Sequence, residues 1–333
     1  MDPTERLALL PDPLLRWYQQ SARVLPWRSN PVPYWVWVSE IMLQQTRVEA
    51  AIPYFERFIH TLPTIEDLAC AEEPLLLKLW EGLGYYNRVR NMKKAALLVM
   101  QEYGGVLPDD PVLLQKLPGI GAYTAGAICS IAYEKPVPAV DGNVLRVVSR
   151  MLGLSEDVSK QTVKKQVGAW LEEIFPPHHA GDFTQALMEL GATVCLPHGE
   201  PLCAACPARE FCVGHAQGNP VQYPVLPPKK ERKIEYKTVF LIRYGECVAL
   251  HQRGADGLLA HMWEFPNTEG AFSLNQAKNW LQAQGLAVCS ILPAGKARHI
   301  FTHIQWEMTG FAVEISSDVL PDGWLLVTQE AIQ

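Results

Sequence analysis

The sequence of 333 residues contains no apolar run long enough to cross a membrane, and its first residues lack a basic-then-apolar secretion signal. Positive charge is also scarce, because 29 lysines and arginines face 35 acidic residues and give a net charge of −6. These absences argue against a membrane protein and predict a cytoplasmic location. The net charge argues mildly against a nucleic-acid partner, although a local basic patch can bind phosphates on an acidic protein.

Cysteine is sparse outside one short segment, CLPHGEPLCAACPAREFC, which holds Cys195, Cys203, Cys206 and Cys212. In an intracellular chain, clustered cysteines are typical of metal ligands rather than disulfides. Four thiolates this close bind either zinc or an iron–sulfur cluster. Only one C-x-x-C pair is present, whereas zinc ribbons usually combine two, so the pattern favours the cluster. A zinc ion and a disulfide pair remain as alternatives.

The chain changes character near residue 223. Residues 1–222 carry apolar residues at helical spacing, for example over 36–61 and 124–133, with Pro and Gly between the segments. Residues 223–235 include YPVLPPKKERK, whose prolines and lysines predict an extended linker. Residues 236–333 contain strand-like runs at 236–244, 247–252, 258–265, 300–308 and 310–315, and one amphipathic helix at 274–284. The pattern predicts a multidomain chain, in which an all-α domain precedes a small α+β domain.

A glycine-rich turn, LPGIG at 117–121, separates two helical patterns. Unpaired backbone amides at the start of the second helix can bind an anion such as a phosphate. The motif by itself is equally consistent with a plain helix–turn–helix that has no ligand.

Two acidic residues lie in otherwise apolar surroundings. Asp141 follows Pro138-Ala139-Val140 and precedes Gly142-Asn143, where it can cap a helix, a role that is compatible with catalysis. Glu40 lies in the apolar stretch VWVSEIML, where burial would raise its pKa and suit it to act as a general acid. The alternative for Glu40 is a solvated glutamate on a helix surface.

Taken together, the helix–hairpin–helix near 113–130, the acid that follows it and the cysteine loop at 195–212 resemble the endonuclease III superfamily of DNA glycosylases. PWR at 26–28, SEIMLQQTRV at 39–48 and VDGNV at 140–144 resemble the MutY-type adenine DNA glycosylases within it. The resemblance covers nearly the whole chain. It implies a monomeric base-excision-repair enzyme that removes adenine mispaired with 8-oxoguanine or G from double-stranded DNA. It also implies a [4Fe-4S] cluster on the four cysteines.

The resemblance assigns catalytic roles to four residues. Glu40 would protonate N7 of the departing adenine, and Asp141 would stabilise the oxocarbenium-like sugar, with Asn143 and Tyr123 orienting these groups. Tyr123 stands where bifunctional relatives carry a lysine that forms a Schiff base. We therefore expect a monofunctional glycosylase. An endonuclease III-type enzyme for oxidised pyrimidines, the main enzymatic alternative, would need lysine at this position.

The resemblance also implies binding residues. The adenine pocket would be lined by Arg23, Trp27, Arg28, Leu43 and Gln185. Gln45 and Tyr85 resemble wedge residues that prise the base stack. The implied DNA contacts are Gln45, Thr46, Tyr85, Arg88, Gly119 and Gly121. Arg88 belongs to a basic cluster with Arg90, Lys93 and Lys94, which would offset the unfavourable net charge.

The C-terminal part resembles the Nudix-like domain with which this family recognises 8-oxoguanine. The likeness lies in GLLAHMWEFPN at 257–267 and RHIFTH at 298–303, and it implies that Thr302 and His303 read the oxidised base. A Nudix hydrolase needs a helix rich in glutamate to hold Mg²⁺. The helix at 274–284 contains no acidic residue, so we expect this domain to bind and not to hydrolyse. A lesion-binding module without chemistry is the non-enzymatic alternative, and the retention of Glu40 and Asp141 argues against it.

Overall fold

The computed structural model describes residues 1–228, 231–254 and 257–332. Lys229 and Lys230 of the predicted linker lie outside the described residues, as do Ala255, Asp256 and Gln333 of the predicted C-terminal domain. The chain forms two compact units, Met1–Pro227 and Pro228–Gln333. Within the described part of the chain, no helix is both long and apolar enough to cross a membrane.

The first unit is helical. Its helices are α1 (Pro3–Leu7), α2 (Pro11–Ser21), α3 (Pro26–Ser29), α4 (Pro33–Leu43), α5 (Val48–Thr61), α6 (Ile65–Cys70), α7 (Glu73–Trp80), α8 (Asn87–Glu102), α9 (Pro111–Leu114), α10 (Ala122–Ala127), α11 (Gly142–Leu152), α12 (Gln161–Glu173), α13 (Ala180–Thr193) and α14 (Val213–Ala216). Proline occupies the first turn of many of them, where its missing N–H costs no hydrogen bond and its fixed φ already suits a helix.

Two apolar cores hold this unit together. The first packs α4, α5, α7, α8 and α10 around buried Trp37, Phe58 and Trp80. The second packs α1, α2, α11, α12 and α13 around Leu14, Val148 and Phe183. Their apolar side chains recur every three or four residues, so burial of one face per helix stabilises the arrangement. Helices of both cores contribute to the site described below.

Two local departures from the predicted helices occur in the first core. Residues 36–61, predicted as helical throughout, divide into α4 and α5, and Gln45 between them has a φ of 60°. After α10 the helix widens into a π-helical segment, Ile128–Ala132. Apolar spacing does not reveal either change, because the residues on both sides of each irregularity face the same core.

The segment predicted as a linker begins on the helical unit. The carbonyl of Tyr223 accepts a hydrogen bond from Arg150 Nε at 3.0 Å, and the carbonyl of Val225 accepts one from the Val158 amide at 3.2 Å. At the other end, the first strand of the second unit already begins at Lys233. The stretch without such attachments is therefore shorter than residues 223–235.

The second unit is a mixed sheet with one helix. Its strands are β1 (Lys233–Tyr244), β2 (Cys247–Gln252), β3 (Trp263–Glu264), β4 (Asn267–Glu269), β5 (Val288–Ile300), β6 (Ile304–Ile315) and β7 (Trp324–Thr328), in the order β3-β2-β1-β6-β5. β4 pairs with β1 and β7 with β2; β1 and β6 run parallel. Helix α15 (Leu274–Ala283) packs Trp280 on Phe240 with ring centroids 4.5 Å apart.

The strands of this unit differ from their sequence-based prediction in three ways. β4, β5 and β7 were not expected as strands over their observed lengths. The run 258–265 is extended only at Trp263–Glu264. The run 300–308 is not one strand, because residues 301–303 form the turn that joins β5 to β6. Alternating polarity indicates a strand but does not mark where the chain reverses.

Candidate active site

A cleft with a volume of about 840 Å³ opens in the helical unit. Its lining includes Glu40 and Leu43 from α4, Tyr123 from α10, and Asp141 at the start of α11. The cleft is lined by all the residues predicted for catalysis and for the adenine pocket, and by two of those predicted for DNA contact. These residues are Arg23, Trp27, Arg28, Glu40, Leu43, Gln45, Thr46, Tyr123, Asp141, Asn143 and Gln185. The fold therefore gathers into one cavity residues that are distant in the sequence.

Glu40 is buried, with 6% of its surface exposed, and its Oε2 accepts a hydrogen bond from the Tyr123 hydroxyl. The pKa of Glu40 is raised to about 7, mainly by burial and also by the negative charge of Asp141, whereas the hydrogen bond from Tyr123 and the charge of Arg28 oppose the rise. Burial and the two carboxylates also raise the pKa of Tyr123 well above its ordinary value, so its hydroxyl remains a donor. Glu40 is thus a carboxyl that can carry a proton near neutral pH.

Asp141 caps α11. Its Oδ1 accepts a hydrogen bond from the Val144 amide at 2.7 Å, and its Oδ2 accepts one from Asn143 Nδ2 at 2.8 Å. Burial raises the pKa of Asp141, whereas these donors and Arg146 oppose the rise because they stabilise the charged form. The helix cap and a fixed carboxylate in the cleft are therefore the same group.

A hydrogen bond from Arg146 fixes the orientation of the Asn143 side chain. Arg146 Nη2 donates to Asn143 Oδ1 and to the Gly191 carbonyl, both at 2.8 Å, and its Nε donates to the Cys195 carbonyl at 2.8 Å. Because the Asn143 oxygen is occupied in this way, its amide nitrogen points at Asp141. The orientation of the Asp141 carboxylate thus depends on a chain of hydrogen bonds that reaches the first cysteine of the loop at 195–212.

Close backbone packing places α10, whose Tyr123 contacts Glu40, against the segment that leads to Asp141. A Cβ atom at Gly126 would lie 2.2 Å from the Pro138 carbonyl oxygen, so only glycine lets α10 lie against the segment that leads to Asp141. In the preceding hairpin, Gly119 has a φ of 80°, and Gly121 is the extended residue at the start of α10. The hairpin therefore has the backbone of a tight turn that leads into a helix, as predicted from LPGIG.

Glu189, a cleft residue that the sequence analysis missed, is buried and forms ion pairs with two of the predicted pocket residues. Its carboxylate accepts from Arg23 Nε at 2.7 Å and from Arg28 Nη2 at 2.8 Å. Burial alone would raise the pKa of Glu189, but the hydrogen bonds from both arginines outweigh it and hold the pKa below its ordinary value. An acid inside the apolar run of α13 was the available signal, as it was for Glu40.

Two cations at the cleft were also missed. Arg47 and Lys164 line it, and neither forms an ion pair with another described residue. They leave positive charge at the cleft despite the net charge of −6. No sequence motif marks Lys164, which lies on α12 and reaches the cleft only through the packing of that helix.

Three of the four cations in the predicted basic cluster bind groups of the protein itself. Arg88 donates to backbone carbonyls at the end of α4 and in the turn before α8, Arg90 pairs with Glu73 at 2.7 Å, and Lys93 donates to the Ala71 carbonyl at 2.7 Å. Of the four cations, Lys94 is the one that is exposed, whereas the other three are half-buried. Tyr85 is 51% exposed and has a φ of 49°, but it does not line the cleft.

The four clustered cysteines line one small apolar cavity and are free thiols. Arg150 Nη1 donates to Cys195 Sγ at 3.3 Å, and burial raises the pKa of Cys206 to about 12. Among the described residues, no group of three or more His, Cys, Asp or Glu side chains is arranged for a single metal ion. The donor set, four sulfurs facing one cavity beside a guanidinium, fits a group that binds several thiolates.

In the second unit, Thr302 and His303 are exposed in the turn between β5 and β6. The neighbouring Phe301 packs between His299 and Trp306, with ring centroids 4.3 Å and 4.9 Å away. The packed aromatic rings thus support the turn. Helix α15, as expected from its sequence, carries no acidic residue.

Comparisons with known proteins agree with this architecture. Residues 38–173 match the model of the HhH-GPD superfamily of base excision DNA repair proteins, and residues 238–333 match a NUDIX domain. A thermostable thymine-DNA glycosylase has a similar structure, with a TM-score of 0.59 and 25% identity over 64% of this chain and 98% of that one. An endonuclease III in complex with DNA, at 22% identity, shares the fold with a TM-score of 0.55 over 66% of this chain and 99% of that one.

Curated relatives match over most of both chains. Adenine DNA glycosylase of Mus musculus is 36% identical over 88% of this chain and 68% of its own length. The Homo sapiens protein is 34% identical over 95% and 70%, and that of Buchnera aphidicola from Acyrthosiphon pisum is 34% identical over 87% and 82%. The fold and cleft thus define a DNA N-glycosylase of base excision repair, a hydrolase. Within that class, the chain belongs to the adenine DNA glycosylase family.

Proposed function

We propose that this chain, acting as a monomer on double-stranded DNA, excises adenine mispaired with 8-oxoguanine or G and leaves an abasic site. One observation carries the proposal: Glu40 is a buried carboxyl with a pKa of about 7, and it shares a cleft with the carboxyl of Asp141. Cleavage of an N-glycosidic bond needs a proton for the leaving base and negative charge beside the sugar.

Glu40 acts as the general acid. Adenine is a poor leaving group as an anion, so protonation at N7 in the transition state lowers the barrier. The Tyr123 hydroxyl holds Glu40 Oε2, and the other carboxyl oxygen, Oε1, remains for the proton that is transferred. The extruded adenine occupies the cleft, surrounded by Trp27, Leu43 and Gln185 and by the two arginines that pair with Glu189.

Asp141 acts on the sugar. As the base departs, the deoxyribose becomes positively charged, and a carboxylate fixed by Val144 and Asn143 stabilises it without having to reorient. The water that completes hydrolysis then attacks C1′ and gives its proton to the Glu40 carboxylate, which has already passed its own proton to the base. Tyr123 contributes no amine for a Schiff base, which supports base removal without strand cleavage.

DNA binding and mispair recognition involve both units. Gln45, Thr46, Tyr85 and the backbone of the turn with Gly119 and Gly121 contact DNA around the extruded nucleotide. Thr302 and His303, exposed on the turn between β5 and β6, read the base opposite adenine and distinguish 8-oxoguanine from G. Since the helix of this unit has no acid to hold Mg²⁺, it supports binding rather than hydrolysis.

Cys195, Cys203, Cys206 and Cys212 hold a [4Fe-4S] cluster that pins the loop at 195–212. Support comes from four free thiols around one cavity and from Arg150, whose charge would offset that of the thiolates. The role of the cluster is structural. A zinc ion is the alternative, and the purified protein distinguishes them, because an iron–sulfur protein absorbs near 400 nm and a zinc protein is colourless.

The proposed function is tested on three duplexes, with adenine opposite 8-oxoguanine, G or T, under single-turnover conditions. We expect alkali-dependent strand scission on the first two and little on the third. Scission without alkali would instead indicate a lyase. Equal excision from all three duplexes, or none, would contradict mispair-directed adenine removal.

A further inference from the structure

Arg88 holds two separate turns of the helical unit together. Its Nη1 donates to the carbonyls of Ile41, Met42 and Gln44 at 2.8, 3.3 and 2.6 Å, at the end of α4. Its Nη2 donates to the carbonyls of Leu83 and Gly84 at 3.0 and 3.2 Å, in the turn before α8. The guanidinium therefore links two stretches of backbone that are far apart in the sequence.

Each of these turns continues directly into a residue with an unfavourable backbone conformation. Gln45, with a φ of 60°, follows the clamped carbonyl of Gln44, and Tyr85, with a φ of 49°, follows that of Gly84. A positive φ is disfavoured for residues with a Cβ and persists only where the surrounding structure imposes it. Arg88 is part of that surrounding structure at both positions, because it donates to the carbonyl that precedes each residue.

The two residues also share an outward position. Gln45 is exposed at the cleft that contains Glu40, and Tyr85 is 51% exposed, with the Arg88 guanidinium 5.7 Å from the centre of its ring. Trp80 also contacts this group: its ring centre is 5.3 Å from the guanidinium, and its Nε1 donates to the Gly84 carbonyl at 3.1 Å. Burial among these groups lowers the pKa of Arg88 from its ordinary value.

We propose that Arg88 is a positioning residue for base extrusion, which sets Gln45 and Tyr85 in one shared geometry by clamping the carbonyls that precede them. This role differs from the direct DNA contact that the resemblance implies for Arg88. This role rests on the proposed function, because Gln45 and Tyr85 are the residues assigned there to the base stack. A residue that fills the stack works better when its position is already fixed, because less conformational entropy is then lost as it replaces the extruded base.

The chemistry requires arginine. A planar guanidinium presents a fork of donors that can serve two acceptor groups at once, whereas the ammonium of lysine has three donors at one point. Arg88→Lys keeps the charge but cannot reach both turns. Arg6→Lys is the matched control, because Arg6 Nη1 also donates to a backbone carbonyl, that of Phe211 at 2.7 Å, but contacts neither turn.

The decisive measurement is extrusion without chemistry. In an Asp141→Asn background, a duplex carries 2-aminopurine beside the target adenine, and its fluorescence rises when the neighbouring base leaves the stack. At saturating protein we expect Arg88→Lys to lose most of this rise and Arg6→Lys to retain it. In the catalytically intact chain, Arg88→Lys should lower the single-turnover rate at least about tenfold, with the pH at which the rate declines unchanged.

A full fluorescence rise with Arg88→Lys would overturn the inference, and so would a shifted pH profile, which would mean that the residue acts on Glu40. Failure of the unmodified chain to excise adenine would refute the proposed function, while the fluorescence measurement would still decide the role of Arg88. If Arg88→Lys proves too unstable for these assays, thermal unfolding provides the test. Gln45→Gly and Tyr85→Gly should then stabilise Arg88→Lys more than they stabilise the unmodified chain, and an equal effect would refute the clamp.

Discussion

The Tyr123 hydroxyl donates a hydrogen bond to Glu40 across 83 positions of sequence, joining the helix after the glycine turn to the helix that precedes the Gln45 turn. The pairing fixes one oxygen of a carboxyl that burial already makes basic. It also leaves no amine at this place in the cleft. One contact therefore bears both on how the acid is held and on why base removal is expected to stop at an abasic site.

The rate of adenine excision should depend on the protonation of Glu40. Because the pKa of Glu40 is about 7, the single-turnover rate should be highest below this pH and fall about tenfold per unit well above it. Glu40→Gln should lower the rate by about a hundredfold or more and remove this decline. A profile of the unmodified chain that is flat between pH 6 and 9 would exclude Glu40 as the acid.

The same carboxyl should destabilise the fold at high pH. Its pKa is 4.5 in the unfolded chain and about 7 in the folded one, so the folded state binds more protons in this window and stability falls as pH rises. The free energy of unfolding of Glu40→Gln, relative to that of the unmodified chain, should therefore increase by up to about 3 kcal/mol between pH 4.5 and pH 8. Urea unfolding at both pH values measures this change, and a difference that is independent of pH would contradict it.

Asp141→Asn separates the helix cap from the charge. Asparagine can still accept the hydrogen bond from the Val144 amide, so the free energy of unfolding should change by less than about 1 kcal/mol. Excision should fall at least about a hundredfold because the positively charged sugar loses its counter-charge. Mispair affinity, measured by gel shift, should remain within about threefold. Normal excision by this variant would remove Asp141 from the sugar-stabilising role.

Glu189→Ala should lower the free energy of unfolding, whereas Glu49→Ala, which removes an exposed acid, should change it little. Glu189→Ala leaves Arg23 and Arg28 without their buried anion, and removal of one partner from such a network costs about 3 kcal/mol of stability. Glu49→Ala is the control, since Glu49 lies 3.8 Å from Arg23 but is 78% exposed, and such pairs contribute little. Similar chemical denaturation midpoints for the two variants would show that the buried network is not needed for the fold.

Mispair discrimination should depend on the turn between β5 and β6. Replacing Thr302 and His303 with alanine should reduce the preference for 8-oxoguanine over G by about tenfold, because hydrogen bonds to the oxidised base would be lost. Catalysis on the G-containing duplex should change little, since neither residue lines the cleft. The ratio of single-turnover rates on the two duplexes reports the effect, and an unchanged ratio would assign recognition elsewhere.

Much of the fold could be predicted from short-range patterns, whereas most residues of the cleft were predicted from the resemblance to a known family. Helical periodicity identifies the first unit, and the two acids stand out because charge is expensive in apolar surroundings. Glu189 stands out in α13 for the same reason, because it is an acid in an apolar run. The strands of the second unit were harder to place, because alternation at 300–308 continues through the turn that reverses the chain.

By itself, the sequence determined the order of the helical and mixed units, the thiol cluster and the absence of lysine at position 123, since all of these depend on residue identity and local spacing. The tertiary structure alone decided how side chains were used. Arg88, a surface cation by pattern, became a backbone clamp because two turns present their carbonyls to it. The apolar stretch around Glu40 predicted a raised pKa, but the neighbours that set it, Asp141, Tyr123 and Arg28, were brought to this carboxyl only by packing, because charge proximity does not follow from spacing along the chain.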